Sequence, residues 1–135
     1  MEIYEQETKL YKALMHPARI AILDLLGEGE ACVCHMEATF GYRQAYISQQ
    51  LMALRDAGLV DDRRDGLNIY YHITRPEIFA VLDAMRQMTG VRPTVAKPAP
   101  NTCTCPTLHR GTCNENTAAS KLGTLFLPNY IHLSE

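Results

Sequence analysis

At 135 residues and a net charge of −2, the chain has room for one domain with a small core plus an appendage, and it is no polycation that could hold nucleic acid by bulk charge. No apolar run approaches the roughly 18 residues needed to span a bilayer, and the acidic N-terminus is unlike a signal peptide, so a cytoplasmic protein is expected. Five cysteines, an odd number in two tight groups, argue for reduced thiols rather than a disulfide framework. Charge is unevenly spread: residues 1–90 hold nine Lys/Arg against thirteen Asp/Glu, and residues 91–135 hold four against two. Any DNA binding must therefore come from local placement.

In chain order, Leu10 and Leu14 stand at helical spacing with Tyr4, Tyr11 and Ala13, which predicts a short amphipathic helix over residues 4–14. Pro17 suits the first turn of a second helix, where its missing N–H costs nothing, and Ile20, Leu23 and Leu26 give that helix a broad buried face until Gly27 and Gly29 stop it. A third helix is expected over residues 30–40, beginning with Glu30, carrying Cys32 and Cys34 near its N-terminal turn, and ending at a turn made by Gly41. From Arg43 to Ala57 a fourth helix places Ile47, Leu51 and Leu54 at i, i+4 and i+7, with Arg43, Gln44, Tyr46, Gln49, Gln50 and Arg55 on its other faces. Gly58 fits a left-handed C-terminal position, and Leu59-Val60 begins an extended run.

Asp65-Gly66 is a tight-turn dipeptide, after which Leu67, Ile69, Tyr71 and Ile73 alternate with Asn68, Tyr70 and His72. The reading is a β-hairpin with Arg63 and Arg64 near its tip. Arg75-Pro76-Glu77 then opens a fifth helix striped by Ile78, Val81, Leu82, Met85 and Met88, a face suited both to core packing and to a homodimer interface. The fold class expected is mainly α with a β-hairpin wing: a dimeric winged helix-turn-helix of about five helices and two strands over residues 1–90, followed by an extension over residues 91–135.

Such a unit reads duplex DNA by placing one helix in the major groove. Gln44 and Gln49 are suited to adenine, Ser48 and Arg43 to phosphate, and Arg63 or Arg64 to the backbone or minor groove, with Tyr46 and Gln50 completing the candidate face. In a lone helix a solvated polar face would be the better reading; the ribbon and its paired arginines tip the balance.

The run from Arg43 to Val60, with Ser48, Leu51, Leu54, Arg55, Gly58, Leu59 and Val60 in place, resembles the recognition helix and following strand of the ArsR/SmtB family of metal-sensing repressors. Residues Ala13 to Leu23 resemble that family's second helix and its entry, and Cys32-Val33-Cys34 resembles the thiolate pair of its metal- and metalloid-responsive members. The resemblance covers roughly the first 90 residues, in the family's order. It implies a homodimer, formed in part by the first helix, that holds a pseudo-palindromic operator and lets go on capturing an inducer. The chain departs from the pattern at His35 and Glu37, where the family often has an acidic residue and a third cysteine, and at Gln50, where histidine is common. Some relatives bind zinc on the fifth helix through Asp and His; Asp83 is present, but that helix has no histidine.

Sulfurs two residues apart do not share a helix face, so Cys32 and Cys34 can chelate one ion only where the backbone is loosened or not yet helical. A helix N-terminus permits this, and its free N–H groups favour thiolate. Soft ions fit: arsenite or antimonite, which seek three thiolates in a pyramid, or alternatively cadmium or lead. Two ligands are too few. Cys103, Cys105 and Cys113 of the extension could supply the rest, reached through a linker over residues 91–102 in the same or the partner subunit, with His35 and His109 as further candidates. Pro93, Pro98, Pro100 and Pro106 argue against a continuous helix there, and Leu122, Leu125, Phe126, Leu127, Tyr130 and Ile131 suggest docking on the body. The rival readings are inert core thiols, a thiol-based redox-sensing repressor of the same fold, and a small thiol enzyme, for which no nucleophile, base and oxyanion arrangement can be assembled.

Overall fold

The computed structural model describes residues 1–94, so residues 95–135 of the extension, with Cys103, Cys105, Cys113 and His109, lie outside the described residues. The five expected helices are present, as α1 (Glu2–Ala13), α2 (Pro17–Gly27), α3 (Val33–Phe40), α4 (Gln44–Asp56) and α5 (Ile78–Thr89). His16 caps α2, its imidazole accepting from the Ala18 N–H at 3.3 Å, and Pro17 takes the first helical position. Both α3 and α5 end on a left-handed glycine, Gly41 (φ 73°) and Gly90 (φ 71°).

The hairpin comprises β2 (Val60–Asp65) and β3 (Asn68–Ile73), antiparallel with Val60 opposite Ile73 and Asp65 opposite Asn68. Its two turn residues are thus Gly66 and Leu67. Leu67, expected to begin the apolar face of the strand, stands instead fully exposed at the tip. A third strand was not anticipated: β1 (Ala31–Cys32) pairs with β3, Ala31 opposite Tyr71 and Cys32 opposite Tyr70, giving the order β1-β3-β2. The third helix accordingly starts at Val33 rather than Glu30, because residues 31 and 32 are drawn into the sheet.

Ile22, Leu23, Leu25 and Leu26 of α2, Met36 of α3, and Ile47, Leu51 and Leu54 of α4 build the core, closed by Leu59, Val60 and Ile78. At roughly 1.5–3 kcal/mol per fully buried aliphatic side chain, this seam carries most of the apolar stabilisation. Asp24 is the charge inside it, 3% exposed at the side chain and paired with Arg86 of α5 at 2.6 Å. The outer faces of α1 and α5 carry exposed apolar residues, Ile3, Tyr4 and Tyr11 on the first and Val81, Met85 and Met88 on the second. Among the described residues no helix is long and apolar enough to cross a membrane.

Candidate functional site

The helix-turn-helix consists of α3, the turn at residues 41–43, and α4, with the β2–β3 hairpin beyond it as a wing. Because Ile47, Leu51 and Leu54 pin one side of α4 to the core, Gln44, Ser48 and Gln49 are left on the open side, with Arg43 exposed at the N-cap. Ala45 and Met52 share that open face, an apolar component that a search for polar readers passes over. Tyr42, also exposed, stacks edge-on against Tyr46 with centroids 5.0 Å apart.

Two expected members of this face are placed otherwise. Gln50 is buried at 6% exposure, and its Oε1 accepts from Arg19 Nε of α2 at 2.8 Å; it lies one step round the helix from Leu54 and Ile47, on the flank that meets α2. Tyr46 is half-buried beside it, its hydroxyl 3.2 Å from His16 Nε2. Both hold α4 to the body.

On the wing, Arg64 is exposed, and among the described residues no ion pair engages it. Arg63 is occupied: Nη2 bonds Glu30 Oε2 at 2.8 Å and Nε bonds the same oxygen at 3.0 Å, while the guanidinium lies 5.1 Å from the centroid of the Tyr70 ring. Arg55, counted from sequence among the basic residues of the reading unit, pairs with Asp62 at 2.9 Å and Asp61 at 3.7 Å.

The thiols sit at the junction of sheet and helix. Cys32 is the last residue of β1 and the N-cap of α3, with an extended backbone (φ −89°, ψ 166°), and Cys34 lies in the first helical turn. Since the chain is not yet helical at Cys32, the two side chains turn to the same side, and their sulfurs approach to 2.7 Å. Cys32 is buried and Cys34 half-buried, and the two pack with Tyr70 and Ala38. Tyr70 is the residue that strand alternation assigned to the polar face; Cys32, opposite it on β1, and Cys34 and Ala38 of α3 pack on that face, and Tyr70 is 2% exposed.

His35 does not join the thiols: among the described residues no group of three or more His, Cys, Asp or Glu side chains is arranged to hold a metal ion. It is buried, desolvation lowers its pKa, and its Nδ1 has no partner among the described residues. Two convergent sulfurs, one at a helix N-terminus, are a donor pair whose chemistry would suit a thiophilic ion, and such an ion would need its remaining ligands from elsewhere.

Residues 16–62 match the family described as bacterial regulatory protein, arsR family. The chain is 40% identical over 76 residues to the biofilm growth-associated repressor of Agrobacterium fabrum, a match that spans 56% of this chain and 65% of that relative. It is 30% identical over 110 residues to the arsenical resistance operon repressor of Staphylococcus aureus, covering 82% of this chain and 98% of that one. Among solved structures it is similar to a homodimeric winged helix-turn-helix DNA-binding domain of a possible ArsR-family regulator from Mycobacterium bovis, with TM-score 0.59, 31% identity, and 67% and 89% of the two chains covered.

Proposed function

Because the chain belongs to the ArsR family of bacterial regulatory proteins, a family of transcription regulators rather than enzymes, we propose that it is a cytoplasmic homodimeric repressor whose operator is released when a thiophilic ion is captured. Arsenite or antimonite is the inducer favoured, with cadmium or lead as alternatives. The observation that carries this reading is the convergence of the Cys32 and Cys34 sulfurs at 2.7 Å within the helix-turn-helix itself. Three thiolates satisfy a trivalent metalloid, so Cys103, Cys105 or Cys113 of the extension over residues 91–135 would complete the set.

Arg43, Gln44, Ser48 and Gln49 would meet the major groove and Arg64 the backbone, with two α4 helices related by the dimer axis reading a pseudo-palindrome. The outward faces of α1 and α5 are the surface proposed for the partner. Linkage supplies the logic: an ion that binds the DNA-incompetent conformation more tightly must weaken operator binding by the same coupling free energy.

Replacing Cys32 and Cys34 with serine should leave operator binding intact and abolish release by arsenite. A doubly substituted protein that still dissociates normally refutes the sensor assignment. The same sulfur approach favours a second reading, in which a peroxide takes two electrons and both thiol protons to form a Cys32–Cys34 disulfide and two molecules of water or alcohol. Anaerobic titration of the reduced protein separates the two: an ultraviolet thiolate band and operator loss on adding arsenite or cadmium support the first, and a response to peroxide alone supports the second.

A further inference from the structure

Apolar packing seats α4 through Ile47, Leu51 and Leu54, but apolar contact has no preferred direction and permits small slides and rolls. Hydrogen bonds are directional, and two of them cross from the start of α2 to the flank of α4. His16 and Arg19 are three residues apart, Tyr46 and Gln50 four, spacings that bring each pair onto one side of its helix. The contacts therefore form two rungs, His16 to Tyr46 at 3.2 Å and Arg19 to Gln50 at 2.8 Å. In the first rung the cap itself sets the tautomer: Nδ1 accepts from the Ala18 N–H, which leaves the ring hydrogen on Nε2 to be donated to the tyrosine oxygen.

The second rung reaches further. While Nε of Arg19 holds the buried Gln50 carbonyl, Nη1 donates to the Lys12 carbonyl in the last turn of α1 at 3.3 Å. One guanidinium thus grips both the reading helix and the end of the helix whose outer face carries Ile3, Tyr4 and Tyr11. Its planar fork makes a two-point hold that a lysine ammonium on a flexible stem does not reproduce.

We propose that Arg19 is a positioning residue for sequence discrimination: it sets the angle of α4 through Gln50 and keeps that angle in register with α1. It touches no base. The inference rests on the DNA-reading role above and extends it to residues beneath the interface.

The test selects from random-sequence duplexes in vitro with the full-length wild-type protein and with Arg19→Met, Arg19→Lys, Gln50→Met and the Arg19→Met/Gln50→Met pair. Affinity for the wild-type consensus is then compared with affinity for random duplex at one salt concentration. Each single variant should lower that ratio about tenfold, the worth of one hydrogen bond to a charged group, and the double variant should lose no more than either single one. A variant harmed only in stability would bind both duplexes less and keep the ratio. An unchanged ratio, or losses that simply add in the double variant, overturns the proposal. Should Arg19→Met fail to fold, Arg19→Lys and Gln50→Met carry the same comparison. If the wild-type protein enriches no sequence at all, the DNA reading itself fails and this inference falls with it.

Discussion

Replacing Arg86 with methionine should destabilise the domain severely at neutral pH and progressively less on acidification. In the folded chain Asp24 is almost wholly enclosed, and Arg86 Nη2, itself 14% exposed, bonds its Oδ2 at 2.6 Å, while Oδ1 has no partner among the described residues. Methionine keeps the length and packing of the arginine stem but withdraws the counter-charge. Breaking a buried pair from one side costs about 3–5 kcal/mol, against about 5–15 kcal/mol for a whole domain. A large part of the stability is at stake.

The pH dependence distinguishes this account from a simple packing defect. Burial raises the Asp24 pKa, and the hydrogen bond and charge of Arg86 pull it back without cancelling the rise. The folded chain therefore binds this proton more tightly than the unfolded chain, so the group's contribution is fully present below the unfolded value of about 3.9 and is lost as pH rises through the folded value. Without Arg86 the folded value moves higher still, and the window of loss widens toward neutrality. Urea unfolding followed by circular dichroism, at fixed protomer concentration because dimerisation would add to apparent stability, should show the deficit shrinking as pH approaches about 4. An Asp24→Asn/Arg86→Met pair should recover much of the loss and remove that part of the pH dependence. A deficit within about 1 kcal/mol at neutral pH, the range of an exposed pair, or one indifferent to pH, would refute the reasoning.

Three further outcomes follow from other contacts. Gly27→Ala should lose about 1 kcal/mol despite its gain in helix propensity, since the added Cβ would stand 2.8 Å from Phe79 Cζ; thermal melts should show a lower midpoint, restored by Phe79→Leu in the same chain. Glu30→Gln releases Arg63 from its carboxylate, so random-duplex affinity should rise, with a salt slope steeper by about one and an unchanged melting temperature; an unaltered slope would show that Arg63 does not reach phosphate. Met85→Glu puts a charge amid the exposed Val81 and Met88 of α5, and sedimentation equilibrium should find the wild-type protein a dimer and the variant a monomer; a variant dimer of undiminished strength would place the interface elsewhere.

The helices were legible in the sequence because each has enough turns for a period to show. Ile47, Leu51 and Leu54 mark the packed side of α4, and Gly41, Gly58 and Gly66 lie at chain reversals with positive φ. Gln50 was misplaced because periodicity sorts apolar from polar but cannot say which polar side chain meets a buried partner; only Arg19, thirty-one residues earlier, decides that. A histidine's place in the family pattern, taken here by an amide able to accept a hydrogen bond, was the available signal.

Strand β1 was illegible for a different reason, since two residues have no period. Its presence depends on a free edge of β3, a non-local pairing that also reverses the expected burial of Tyr70. That one pairing changes how the thiol site is built. Were Cys32 in the first turn of a longer helix, its sulfur would point away from that of Cys34; held in β1 it turns back toward it. The same strand residue lies opposite Tyr70, whose ring carries Arg63 on the wing, and Arg63 returns to Glu30 just before β1. One short stretch of backbone, residues 30–34, thus supplies both sulfurs and the carboxylate that holds Arg63 of the wing.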